Sequence, residues 1–192
     1  LENAGVDRFL ARASLETPHV VRLAGRDDTL SAKTILVATG AHPFIPNLPG
    51  REHLITSNEC FELEALPERI AVVGAGYIGM EFASIFAGLG VAVTVLYRGE
   101  QILRDFDMDL RDGLAEAMRN RGVNLRMNAN VAAVEKDGGA YRVQLKGGDC
   151  VTTDLVMAAT GRVPNGSGFG LQQIGVKLGW NGHVAVDEFS KS

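Results

Sequence analysis

Two spacings of apolar residues alternate along this chain. Apolar runs at residues 33–39 (KTILVAT), 70–73 and 91–97 read as strands, and the last two are of the continuous kind that a parallel sheet buries. Between those two, residues 77–89 carry a helical pattern that Gly90 stops. This succession is one βαβ unit of about thirty residues. A second amphipathic helix is expected over 108–121, with Asp107 as its cap, Leu110, Leu114 and Met118 on its apolar side, and Gly122 at its end. The spacing then shortens to that of strands in VNLRM, VAAVEKD, AYRVQLK and VTTDLVMAA, with a hairpin turn around Asp137-Gly138-Gly139. Residues 19–23 and HVAVD near the end are further strand candidates. A short helix fits SNECFELEAL, with Ser57 as its cap and Cys60, Leu63 and Leu66 turned inward. Two stretches, AHPFIPNLPG and GRVPNGSGFG, are too rich in proline and glycine for a central strand or a helix and read as connectors. The fold class expected is α/β: a Rossmann-like dinucleotide-binding domain with a parallel sheet, crossover helices and an antiparallel β-meander.

Composition narrows the partners. Of 192 residues, 46% are hydrophobic and 22% charged, ordinary values for a globular domain with a real core. The net charge of −4 and the absence of a basic run argue against a nucleic-acid partner. No apolar stretch approaches the ~20 residues of a membrane helix, and no signal peptide is visible, so no membrane partner is expected. The two cysteines, Cys60 and Cys150, are far apart, which favours a reducing, cytoplasmic setting over a disulfide framework. His19, His42, His53 and His183 lack metal-ligand spacing, so no metal site is expected. The chain begins at Leu1 rather than Met, as a fragment, an excised domain or a processed chain would.

The chemistry is concentrated in Gly74-Ala75-Gly76-Tyr77-Ile78-Gly79, a GxGxxG. By itself the pattern is weak. Here it follows an apolar strand and opens a helix within a βαβ unit, the context of a dinucleotide fingerprint. Gly74 would permit the tight turn, Gly76 the approach of a pyrophosphate, and Gly79 close packing of helix on strand. The helix N-terminus would offer its free N–H groups to the phosphates. The other reading is a tight turn that holds no ligand. About 20 residues past the glycines, NAD and FAD sites place an Asp or Glu on the ribose 2′-hydroxyl. Here that strand end reads Val95-Leu96-Tyr97-Arg98, with Arg104 six residues on. Two guanidinium groups suit a 2′-phosphate, so NADP(H) is read rather than NAD(H). Two solvated loop arginines remain the alternative. Glu100, which could accept from a ribose, and glycine rather than alanine at position 79 point the other way.

ILVATGAHPFIPNLPG, VVGAGYIGMEFASIFAGLG, LYRGEQILRDFD, DLVMAATGRVPN and GVKLGWNGHVAVDEFSKS together resemble the pyridine nucleotide-disulfide oxidoreductases, which bind FAD and NAD(P)H in two related domains. YRGEQILRDFD is most similar to the glutathione and trypanothione reductases of that family; a dihydrolipoamide dehydrogenase would carry glutamate where Tyr97 stands. The resemblance implies the FAD/NAD(P)-binding fold. Residues 1–40 would be the end of an FAD domain, 41–164 the NADP(H) domain, and 165–192 the return into the FAD domain, with ATG (38–40) and ATGR (159–162) at the crossings. Carried over by position, Ala75, Ile78, Glu81, Arg98, Arg104 and Gly161 would contact NADP(H), and Tyr77 would cover the nicotinamide pocket. The parent enzyme would be an FAD-containing homodimer passing hydride from NADPH to flavin to reduce glutathione disulfide or a similar disulfide. The sequence does not contain the family's CxxxxC redox pair, its first GxGxxG or its C-terminal dimer domain. No catalytic residue is therefore assigned to this chain, and by itself it is expected to be inactive and to hold no FAD tightly. Left open are another flavoprotein of the same plan (dihydrolipoamide dehydrogenase, mercuric reductase, NADH oxidase) and a non-catalytic nucleotide-binding module.

Overall fold

The structure, a computed structural model, describes residues 2–192. The chain forms two compact units: residues up to His42 with Val163–Ser192, and Pro43–Arg162.

In the first unit, β1 (Ala13–Thr17), β2 (Val20–Leu23) and β3 (Thr29–Ser31) form an antiparallel three-stranded sheet. The strand expected at residues 33–39 does not form: no described strand pairs with it, and Leu36 is 88% exposed. β-Propensity marks a chain segment that fits a half-buried pleated surface; without a neighbouring ladder to satisfy its N–H and C=O groups, the segment is no strand. HVAVD is likewise reduced to an isolated bridge between Leu178 and Val184. Two short strands mark the crossings between the units, β4 (Ala41–Pro43) and, at the return, Arg162–Pro164.

The second unit is built on a five-stranded parallel sheet. Its elements in chain order are β5 (Leu54–Ile55), α1 (Ser57–Cys60), β6 (Arg69–Val73), α2 (Tyr77–Gly88), β7 (Ala92–Leu96), α3 (Met108–Asn120), β8 (Asn124–Arg126), β9 (Val131–Asp137), β10 (Ala140–Leu145), β11 (Cys150–Thr153) and β12 (Leu155–Ala158). The sheet order is β5-β12-β6-β7-β8, with every neighbouring pair parallel. β9, β10 and β11 form the antiparallel meander, turning between paired Asp137 and Ala140. VTTDLVMAA is thus not one strand but two: it breaks at Asp154, whose carboxylate leaves the ladder to accept from the backbone N–H and guanidinium of Arg69.

Both faces of the sheet are covered, which is why its strands read as continuous apolar runs. Ile70 and Val72 of β6, with Val93 and Val95 of β7, pack with Met80, Phe82, Ala83 and Phe86 of α2 and with Ala115 and Met118 of α3. Ala71 and Val73 point the other way, into a second core with Leu96, Val134, Val143, Leu145 and Val156. On α2 the buried positions 79, 82, 83 and 86 follow the 3.6-residue period, and Gly90 (φ 86°) ends the last turn. Two expectations are corrected. Thr56, not Ser57, caps α1: its hydroxyl accepts from the N–H of Asn58, and the Glu59 carboxylate accepts from the N–H of Thr56 at 2.7 Å, a reciprocal capping box. On α3 the inward stripe is Leu114, Ala115 and Met118; Leu110 is exposed, as is Leu66 beyond α1.

Candidate functional site

The sheet's strand order reverses at β6. The chain leaves β6 for β7 on one side, while β12 pairs on the other. Open α/β sheets bind ligands at this switch point, outside the carboxyl ends of the strands. A cleft of about 580 Å³ lies there, within the size range of small-molecule sites. Its floor is built from the ends of three strands: Val73-Gly74, Leu96-Tyr97 and Ala158-Ala159.

The three glycines of the motif sit in three different environments. Gly74 has φ 115°, and a Cβ there would lie 2.2 Å from the carbonyl oxygen of Ala159, so glycine is needed for both the turn and the contact with the end of β12. A Cβ on Gly79 would lie 2.5 Å from the carbonyl oxygen of Gly74, so this glycine lets α2 close onto the turn. Gly76 differs from both: its φ is an ordinary −76°, and a Cβ there would meet nothing within 4 Å. The protein's own packing places no demand on Gly76, which is exposed and lines the cleft. Gly76 is also the N-cap of α2 and brings no side-chain cap, and no acidic residue occupies the helix's first turn. The positive end of the helix is therefore open toward the cleft.

Around this end stand Ala75, Tyr77 and Ile78 of the motif, with Gly161 and Arg162 on the opposite connection. Tyr77 is 56% exposed. The far wall carries Arg98 and Arg104, both exposed. Arg98 enters no ion pair among the described residues, and Arg104 makes only a loose one with Asp105, at 3.6 Å. Asp105 is the one carboxylate in the lining, against three arginines, and Glu100 stays out of it. The cleft is thus set for an anion at two places, the helix end and the arginine wall.

Of the residues singled out in the sequence, Gly74, Ala75, Gly76, Tyr77, Ile78, Arg98, Arg104 and Gly161 meet around one cleft. Gly79 lies buried beneath it. Glu81, one turn further along α2, is exposed and outside the lining. The motifs did not reveal Phe44, Phe106, Ala129, Asn130 or Thr160, which complete the walls. Thr160 donates its hydroxyl proton to the carbonyl of Phe44 at 2.6 Å, tying the Pro-rich connector to the end of β12. The signal for Phe44 was its place in that connector. Among the described residues there is no cluster of metal-binding side chains, and no helix is long and apolar enough to cross a membrane.

Comparison with known proteins agrees with this architecture. The family model described as pyridine nucleotide-disulphide oxidoreductase matches residues 1–192. The whole chain is 47% identical to 42% of a glutathione reductase from Burkholderia cepacia, and 38% identical to 41% of a trypanothione reductase from Trypanosoma congolense. Among solved structures, LpdA from Mycobacterium tuberculosis matches 97% of the chain with 43% of its own (TM-score 0.85, 34% identity). RclA, an HOCl-induced flavoprotein disulfide reductase from Escherichia coli, matches 92% of it with 41% of its own (TM-score 0.82, 28% identity). The chain spans less than half the length of the proteins it matches.

Proposed function

The chain belongs to the pyridine nucleotide-disulphide oxidoreductase family, and from that premise we propose that its Pro43–Arg162 unit binds NADPH for a glutathione-reductase-like flavoenzyme. The observation that carries this reading is the pairing of an uncapped helix end, left bare by Gly76, with Arg98 just past the end of β7, where an NAD site has a carboxylate, and Arg104 further along the same loop. The open N–H groups of α2 hold the pyrophosphate. Arg98 and Arg104 take the 2′-phosphate, donating paired hydrogen bonds to its oxygens. Tyr77 and Glu81 belong to the nicotinamide end, with Tyr77 covering the cleft until the nucleotide enters. When bound, NADPH supplies a hydride donor; the residues of this chain bind and orient it and exclude water. The residues outside this unit are assigned to an FAD domain. The 47% identity to a glutathione reductase supports glutathione disulfide or a related disulfide as the parent's substrate; a cytoplasmic homodimer is part of the same proposal.

The test is nucleotide preference. Dissociation constants for NADPH and NADH are measured at fixed salt for the wild type, for Arg98→Ala with Arg104→Ala, and for that pair with Tyr97→Glu. Losing both arginines costs about 2–4 kcal/mol of NADPH preference and leaves NADH binding nearly unchanged. Adding the glutamate supplies a ribose acceptor and repels the phosphate, which inverts the preference. A wild type that binds NADH as tightly as NADPH refutes the assignment.

A further inference from the structure

The loop between β7 and α3 holds an unusual backbone. Four non-glycine residues among those described have positive φ; of these Asp105 (81°) lines the cleft, and Leu103 (50°) and Asn128 (55°) each directly precede a lining residue, Arg104 and Ala129. Two of these flank Arg104 directly. Asp and Asn visit the left-handed region readily; Leu does so at a cost and only where its surroundings enforce it. The enforcement is visible. Leu103 is buried, its N–H donates to the carbonyl of Ala75 in the glycine turn at 2.8 Å, and its carbonyl accepts from Phe106 at 3.1 Å. Arg98, at the other end of the loop, is braced by its neighbours: Tyr97 pairs with Arg126 and Ala129, and the Gly99 carbonyl accepts from Asn128.

The remaining support comes from α3. Its inward stripe, read back from Met118 and Ala115 by helical spacing, reaches position 111, where the chain has arginine instead of an apolar residue. Arg111 is half-buried and makes no ion pair among the described residues. Its Nε donates to the carbonyl of Ile102 at 2.8 Å and its guanidinium to that of Gln101 at 3.4 Å. Gln101 adds a second brace, donating to Asp112 at 2.6 Å and accepting from the N–H of Ile102 at 3.0 Å. Arg111 does not line the cleft.

We propose that Arg111 is a positioning residue for nucleotide choice: by clamping the carbonyls of Gln101 and Ile102 it sets the left-handed turn from which Arg104 enters the cleft. The inference rests on the NADPH reading above. A charge spent on two loop carbonyls fixes the direction of a second charge two residues on, and a loosely held arginine loses selectivity before it loses contact.

The experiment compares Arg111→Met, Arg111→Lys and Gln101→Ala with the wild type and Arg104→Ala, measuring NADPH and NADH dissociation constants and thermal unfolding for each. Arg111→Met is expected to weaken NADPH by about fivefold to tenfold while NADH changes by less than about twofold. Arg111→Lys, which can still donate to a carbonyl, falls between it and the wild type, and Gln101→Ala shows the same selective loss in smaller measure. Gln101→Ala and Arg111→Lys decide the matter if the methionine variant does not fold. Equal weakening of both nucleotides, or an unchanged ratio beside a sensitive Arg104→Ala, overturns the positioning role and leaves the NADPH reading standing. A wild type without NADPH preference removes both.

Discussion

Alanine at position 76 would separate binding from folding. Gly76 has φ −76° and ψ 178°, a conformation open to alanine, and the added Cβ meets nothing within 4 Å. Its cost to the fold is confined to replacing an N-cap glycine, less than about 1 kcal/mol, or a few degrees in Tm at most. The same methyl group would stand in the cleft, over the open end of α2, where the proposed site has the pyrophosphate approach. NADPH binding should therefore weaken about tenfold or more, or about 1.4 kcal/mol. Gly74→Ala provides the contrast. It forces an L side chain into φ 115° and drives the Cβ to 2.2 Å from a backbone oxygen. Strain and overlap together cost about 3 kcal/mol or more, and the loss appears as instability. Calorimetric titration with NADPH and thermal unfolding of both variants read the two effects apart. If Gly76→Ala binds NADPH as the wild type does, the open face at Gly76 serves no ligand and the argument built on it fails.

Two further predictions concern titratable groups. The Arg69 guanidinium holds the Asp154 carboxyl below the usual carboxylate range. Because the folded value lies below the unfolded one of about 3.9, the stabilisation is complete above that pH and is lost as pH falls through the lower folded value. Asp154→Asn should accordingly lower Tm at pH 7, and the difference from wild type should shrink as pH falls below about 3.9; a gap that stays constant on acidification would assign the effect to packing. Burial, with the nearby Glu59 charge, pushes the Cys60 thiol up to about 11, whereas Cys150 is exposed. A maleimide at pH 7.5 should label Cys150 first and Cys60 at least tenfold more slowly, as expected for a thiol with little thiolate (roughly tenfold less per unit); equal rates, read by mass spectrometry, would contradict that environment.

The local period carried much of the fold. The apolar runs of β6 and β7, the helix between them and the glycines at both its ends needed only nearest-neighbour chemistry, as did the β9–β10 turn, so they were legible as a string of letters. The residues of the glycine motif were legible for the same reason. What the string could not show is which strands find partners. Residues 33–39 look as strand-like as β7 and form no ladder, because a strand is a property of two chains of hydrogen bonds rather than of one sequence. The break at Asp154 depends on Arg69, 85 residues away, and Thr56 takes the cap from Ser57 because Glu59 can reach back to it. Position 111 shows the difference most sharply. Sequence periodicity laid the apolar stripe of α3 through Leu110, but the helix settles with Leu110 in solvent and Arg111 against the loop, since only the packed sheet decides which side of a helix is inside. The same packing demands glycine at Gly74 and Gly79 and makes no demand at Gly76: what stands where a glycine's side chain would be is set by the tertiary fold.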